Sequence, residues 1–274
     1  MFRFFSVFFI LLSLLLSCTT VKSIQIEEIP ETKVINYEEY NKKILKALSA
    51  LNLPERISKR IKEEIILDSI FVNELAVILQ LDFDLWILID KQHPINENYI
   101  PSDLVKLNNG SFMVNRNDLF LKKEAAQSLL EMASFLKTEN ITLTVSSAYR
   151  SYHYQANLYA RYVRELGRYE ADRIAARPGY SQHQLGLTVD FGSVTNSFAS
   201  TREGRWLSAN ASRFGWSLSY PNGFENVTGY SWESWHYRYV GKEVAAFIDK
   251  YFEGIQQYAL LFIHEFNLLV NSEE

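Results

Sequence analysis

The stretch Gly179–Ser193, GYSQHQLGLTVDFGS, sets His183, Gly186 and Asp190 at H-x-x-G-x-x-x-D spacing. Two readings are open. The histidine and aspartate could be unrelated polar positions on a strand and its approach, or they could be two arms of a metal site. The second reading needs a third ligand and a catalytic base elsewhere in the chain. The stretch Trp232–Gly241, WESWHYRYVG, offers both: His236 on an expected strand, and Glu233 three residues before it.

Two histidines and an aspartate match what a catalytic zinc requires, three protein N/O ligands and an open fourth position. Imidazole with carboxylate favours zinc over a calcium-type all-oxygen site. The spare carboxylate, Glu233, can take a proton from attacking water and pass it to a leaving amine. Each motif alone is weak; together and in this order they point to Zn2+ held by His183, Asp190 and His236.

Four stretches carry a family resemblance: WILIDKQHPINENYIPSDLVKL (86–107), SSAYRSYHYQ (146–155), PGYSQHQLGLTVDFG (178–192) and GYSWESWHYRYVG (229–241). Their order and separation resemble the VanY-type D-alanyl-D-alanine carboxypeptidases, within the zinc peptidases that also include lysostaphin-like enzymes and the hedgehog signalling domain. The resemblance spans roughly residues 85–241. It implies zinc on His183, Asp190 and His236, Glu233 as general base, and an α+β fold with an antiparallel sheet carrying the site. It also places Arg150, Gln155 and Ser181 at the substrate. A guanidinium near zinc can pair with a substrate carboxylate or stabilise an oxyanion, which makes Arg150 a catalytic candidate as well. The alternative for Arg150 is a structural ion-pair partner. Ala148 stands where the family commonly has glycine.

The implied activity is removal of the terminal D-alanine from peptidoglycan stem peptides, with D,D or L,D preference open. The rivals are an endopeptidase using the same zinc chemistry and a non-catalytic zinc-fold binding module. Trp232, Trp235, Tyr149 and Tyr180 either wall a peptide groove or belong to the core. His93, His153 and His264 have no partner at metal spacing and read as surface or packing residues.

At 274 residues and 47% hydrophobic, the chain is long enough for one large domain with an appendage. A net charge of -4 gives no polybasic surface for nucleic acid. Residues 1–17 read as a signal peptide: Arg3 is a positive start, and Phe4 to Leu16 is a short apolar run. Leu15-Leu16-Ser17-Cys18 resembles a bacterial lipobox, which makes Cys18 the lipidation residue. As the single cysteine it cannot form an internal disulfide. An uncleaved N-terminal helix or a plain signal is the alternative. The expectation is an exported lipoprotein of the bacterial envelope, facing the periplasm or the cell surface, and monomeric.

Residues 18–35 read as a tether and 36–82 as a helical lead-in with apolar residues at helical spacing. The zinc carboxypeptidase domain is expected over 83–254 and a C-terminal helix over 255–274. Within the domain, a short strand is expected in LWILID, a helix over Leu119–Lys137, and strands at Ile141–Ser146, Leu187–Phe191, Trp216–Tyr220 and Trp235–Val240. A further helix is expected from Ser151 to Leu166. From Ala245 onward the apolar residues form a single helical stripe. Asp118/Lys122 and Glu165/Arg168 read as surface pairs on helices.

Overall fold

The computed structural model describes residues 35–272. The expected signal, lipobox and tether before residue 35 lie outside the described residues. Among those described, no helix is long and apolar enough to cross a membrane.

The chain begins with three helices, α1 (Tyr37–Ala50), α2 (Glu55–Leu67) and α3 (Ile70–Ile78), and a single turn, α4 (Phe83–Trp86). α1 is capped by Asn36, whose side chain accepts the Glu39 N–H. α1 buries Ile44, Ala47 and Leu48, and α2 buries Ile57, Ile61 and Ile65. These spacings of three and four place each set on one face.

Next come β1 (Leu104–Lys106), β2 (Met113–Val114), β3 (Phe120–Lys122) and the amphipathic helix α5 (Lys123–Thr138). They lead into β4 (Thr144–Ser147) and α6 (Tyr152–Ile174), two helical segments joined at a kink at Gly167. β5 (Thr188–Phe191), α7 (Arg202–Asn210), β6 (Trp216–Leu218), α8 (Glu225–Thr228) and β7 (His236–Tyr239) follow. The described chain closes with α9 (Lys242–Phe252) and α10 (Gln256–Asn271).

Five strands form the sheet that carries the site, in the order β2-β4-β5-β7-β6, while β1 and β3 make a separate antiparallel pair. β4, β5, β7 and β6 each run antiparallel to the next, as expected; β2 joins the edge parallel to β4. The fold is α+β. Every residue of β5 and β7 is buried, so both faces of the central strands are covered. α10 lies against α1 and α9, and α2 and α3 also pack on α9. Arg56 adds an ion pair to Glu253 in the turn between α9 and α10. Arg238 of β7 is fully buried and donates to the Asp84 and Leu85 carbonyls, tying α4 to the sheet.

Several local expectations are corrected. LWILID is not a strand: the Asp82 side chain accepts the Asp84 N–H and starts α4, and among the described residues no strand pairs with the residues after it. The helix expected from Leu119 begins at Lys123, because Phe120–Lys122 pair with β1. The helix expected from Ser151 to Leu166 does end there: Gly167, at φ 79° and ψ 161°, a conformation that suits glycine, kinks the backbone, and a second helical segment follows it to Ile174. The tail stripe is divided between α9 and α10 by two residues with positive φ, Glu253 and Gly254. Asp118 and Lys122 do not pair with each other on a helix: Asp118 pairs with Arg116, and Lys122, at the end of β3, with Asp82 and Asp84.

Candidate metal centre and cleft

Strand register brings the motifs together. Asp190 on β5 lies directly opposite His236 on β7, and Ser147 on β4 lies opposite Asp190. Cross-strand partners have Cβ atoms about 5 Å apart, close enough for side chains of one face to share a site. His183 arrives from a short 3-10 turn, Gln182–Leu185, just before β5.

Gly186 ends that turn at φ 69°, and its N–H donates to the His183 carbonyl. A Cβ there would meet Leu104 at 2.9 Å and Pro101 at 3.2 Å. The glycine of the motif is therefore structural. It lets the chain reverse so that His183 and Asp190 point into one place.

His183, Asp190 and His236 each offer a ligand atom, all within 4.8 Å of one another, and all three residues are buried. His183 Nε2 lies 3.3 Å from Asp190 Oδ2, and His236 Nδ1 lies 3.2 Å from Asp190 Oδ1 and 3.4 Å from Glu233 Oε2. The rings are perpendicular with centroids 5.0 Å apart.

The donor set fits a metal cation. His183 Nδ1 donates to the Ala148 carbonyl at 2.7 Å, which leaves Nε2 as the lone-pair nitrogen, and that atom is buried without a hydrogen-bond partner. Asp190 Oδ1 is likewise buried and unpartnered, while Oδ2 accepts from Arg150 Nη2 at 2.6 Å. Buried polar atoms are normally paired, so two converging orphans point to a group that completes them. Arg150 is fixed in turn by Ser147, whose hydroxyl accepts from Nε at 2.9 Å.

The electrostatics agree. Burial, reinforced by Arg150, lowers the His183 pKa to about 4, so the ring is neutral as a ligand must be. Burial opposes charge on Asp190, but His183 and Arg150 outweigh it and hold the carboxyl well below its usual range. Burial also opposes a proton on His236, yet Asp190 and Glu233 prevail and raise its pKa. Two carboxylates that favour a proton beside Nδ1 favour a metal cation in the same place. Burial raises Glu233, with His236 pulling the other way.

A cleft of about 490 Å³ opens over this cluster. Arg150, Gln155, Ser181, Trp232, Glu233 and Trp235 all line it. Tyr149 lines a neighbouring hollow beside Arg150, and Tyr180 a third one with Tyr230. The Gln155 amide nitrogen is committed to the Ala176 carbonyl at 2.7 Å, and its oxygen is buried without a partner. Away from the cleft, His93 bonds to Asp90 and its ring meets that of His264 edge-on.

Sequence reading did not find Ser147, Tyr220 or Gln182. Tyr220 lies with its ring centroid 4.6 Å from that of His236, and the Gln182 side-chain oxygen is 3.3 Å from His236 Nε2. Gln182 sits inside the first motif and Ser147 inside SSAYRSYHYQ, and those positions were the available signal.

Comparison with known proteins agrees with this geometry. The VanY family model, described as D-alanyl-D-alanine carboxypeptidase, matches residues 118–242. The Bacillus subtilis (strain 168) protein YodJ is 36% identical over 184 residues, covering 62% of this chain and 67% of that one. A D-alanyl-D-alanine carboxypeptidase of Enterococcus faecium is 31% identical, and the alignment covers 57% of this chain and 50% of that enzyme. Among solved structures, a vancomycin-resistance D,D-pentapeptidase VanY in complex with Zn(II) superposes with a TM-score of 0.54 at 31% identity. That match covers 66% of this chain and 99% of the pentapeptidase. The LdcB LD-carboxypeptidase superposes with a TM-score of 0.56 at 34% identity, over 62% of this chain and 86% of LdcB.

Proposed function

The chain belongs to the VanY family of D-alanyl-D-alanine carboxypeptidases, and on that premise we propose that it removes the terminal D-alanine from peptidoglycan stem peptides. Membership makes it a hydrolase of peptide bonds with Zn2+ as cofactor. The observation that carries the proposal is the buried cluster in which His183 Nε2 and Asp190 Oδ1 lack partners beside a burial-raised Glu233, at the floor of a cleft.

His183, Asp190 and His236 would hold the metal. When bound, zinc supplies a Lewis acid that polarises the scissile carbonyl and makes water nucleophilic near neutral pH. Glu233 accepts the proton of the attacking water and returns it to the nitrogen of the departing D-alanine. Its raised pKa brings it closer to the pH at which both transfers are efficient. Arg150 holds Asp190 in its ligating orientation and, from the cleft wall, faces the developing oxyanion or the substrate carboxylate. Ser181 adds a hydroxyl to the same wall, and Gln155 shapes it from behind. Export and acylation at Cys18 would keep the enzyme in the cell envelope, next to its polymeric substrate, as a monomer.

The test is mass spectrometry of muropeptides incubated with the zinc-loaded protein. Loss of one alanine from pentapeptide stems supports a D,D preference, and loss from tetrapeptide stems an L,D preference. Equal cleavage of free and C-terminally amidated pentapeptide would remove carboxylate recognition and replace the proposal with an endopeptidase.

A further inference from the structure

A row of buried amides leads from the C-terminal helix to the metal cluster. Gln256, the first residue of α10, is 1% exposed, Gln182 3%, Ser219 2% and His236 4%. Gln256 Nε2 donates to the Ser217 carbonyl at 3.3 Å. Gln182 Nε2 donates to Gln256 Oε1 at 3.1 Å. Gln182 Oε1 accepts from the Ser219 hydroxyl at 2.7 Å and faces His236 Nε2 at 3.3 Å.

The polarity of this row follows from its far end. A backbone carbonyl can only accept, so Gln256 must turn its nitrogen toward Ser217. That leaves its oxygen for Gln182, which must present its own nitrogen there and its oxygen to His236. Flipping either amide would set oxygen against oxygen or N–H against N–H in a buried site, and an unmade buried hydrogen bond carries the full desolvation cost.

We infer that Gln182 and Gln256 are positioning residues that, against the pull of Asp190 and Glu233 on a proton at Nδ1, hold neutral His236 as its Nε2–H tautomer and so keep Nδ1 free for the metal, with the orientation set by the C-terminal helix. The inference rests on the metal-ligand role given above to His236. His183 is held by the Ala148 carbonyl, so the two histidines present opposite ring nitrogens, Nε2 and Nδ1, to one point.

The helices outside the sheet thereby acquire a role in the chemistry. α10 is packed on α1, and the turn just before Gln256 is clamped by Arg56 of α2 through Glu253. These contacts fix the first residue of α10, and Gln256 passes that position to Gln182 and His236.

The experiment uses the full chain and two readouts that need no activity. Zinc dissociation constants come from competition with a chromophoric chelator, and the His236 tautomer from ¹⁵N resonances of the zinc-free protein at alkaline pH. Loss of a residue that orients a metal ligand typically weakens the metal by about 10- to 100-fold. Gln182→Leu is expected to fall in that range, with His236 becoming a mixture of tautomers. Gln256→Leu should shift both readouts in the same direction by less. Gln182→Glu keeps an acceptor for His236 and should retain most of the affinity. A parent-like zinc constant with a fixed tautomer in folded Gln182→Leu would overturn the inference. A His236 protonated at Nδ1 in the unmodified zinc-free protein would do the same, whether or not any variant folds. Absence of zinc binding by the unmodified protein would instead refute the catalytic reading, and the tautomer measurement would still decide this one.

Discussion

Asp190→Asn in metal-free protein is an informative perturbation, because a ligand carboxylate can either strain an empty site or hold it together. Asp190 is 2% exposed and sits against Arg150 Nη2 at 2.6 Å, His183 Nε2 at 3.3 Å and His236 Nδ1 at 3.2 Å; Glu233 is the opposing charge, facing His236 from 3.4 Å. The depressed pKa of Asp190 means the positive surroundings prevail, so its negative charge stabilises the fold.

Removing one partner of a buried ion pair costs about 3–5 kcal/mol. Arg150 keeps 19% of its side chain exposed and would retain a neutral amide acceptor, which argues for the lower end, about 3 kcal/mol. For a domain of this size, that corresponds to a fall in Tm of roughly 6–12 °C. The assay is thermal unfolding in chelator, repeated with zinc. At free zinc about a hundredfold above its Kd, the parent should gain about 2.7 kcal/mol and the variant much less. A chelated variant as stable as the parent would refute the claim that the Arg150–Asp190 pair holds the empty site together.

Glu233→Gln should keep its zinc, by metal analysis, while kcat falls by about 10²–10⁴; loss of the metal from a folded protein would make Glu233 a ligand. Alanine at His183 or His236 should reduce zinc content and activity together, and chelation of the parent should abolish activity that added zinc restores. Gly186→Ala forces a left-handed backbone at a cost of about 1–2 kcal/mol, plus contacts at 2.9 and 3.2 Å, so denaturant unfolding should show a loss of at least that size. Cys18→Ala should leave hydrolysis by the protein unchanged while moving it out of the membrane fraction, and unchanged retention with an unchanged N-terminus would favour an uncleaved helix.

What was legible in the amino-acid order was the chemistry and the helical period. The H-x-x-G-x-x-x-D spacing and the Glu233/His236 pair name the donor set, because residue types with metal affinity are rare enough to stand out even 46 residues apart. Apolar spacing located α1, α2 and the greater part of α5, since a 3.6-residue period is written in the chain itself. Pairing is not written there. Phe120–Lys122 continue the apolar pattern of α5 and yet form a strand, because β1 offers backbone partners. LWILID has strand composition and, among the described residues, finds no neighbour to pair with. Only the register of β4, β5 and β7 sets Ser147, Asp190 and His236 in one row. The orientation of His236 depends on Gln256, 20 residues further along and on another element. A side-chain amide has a direction only once its buried neighbours have used up the alternatives, and those neighbours are assembled by tertiary packing.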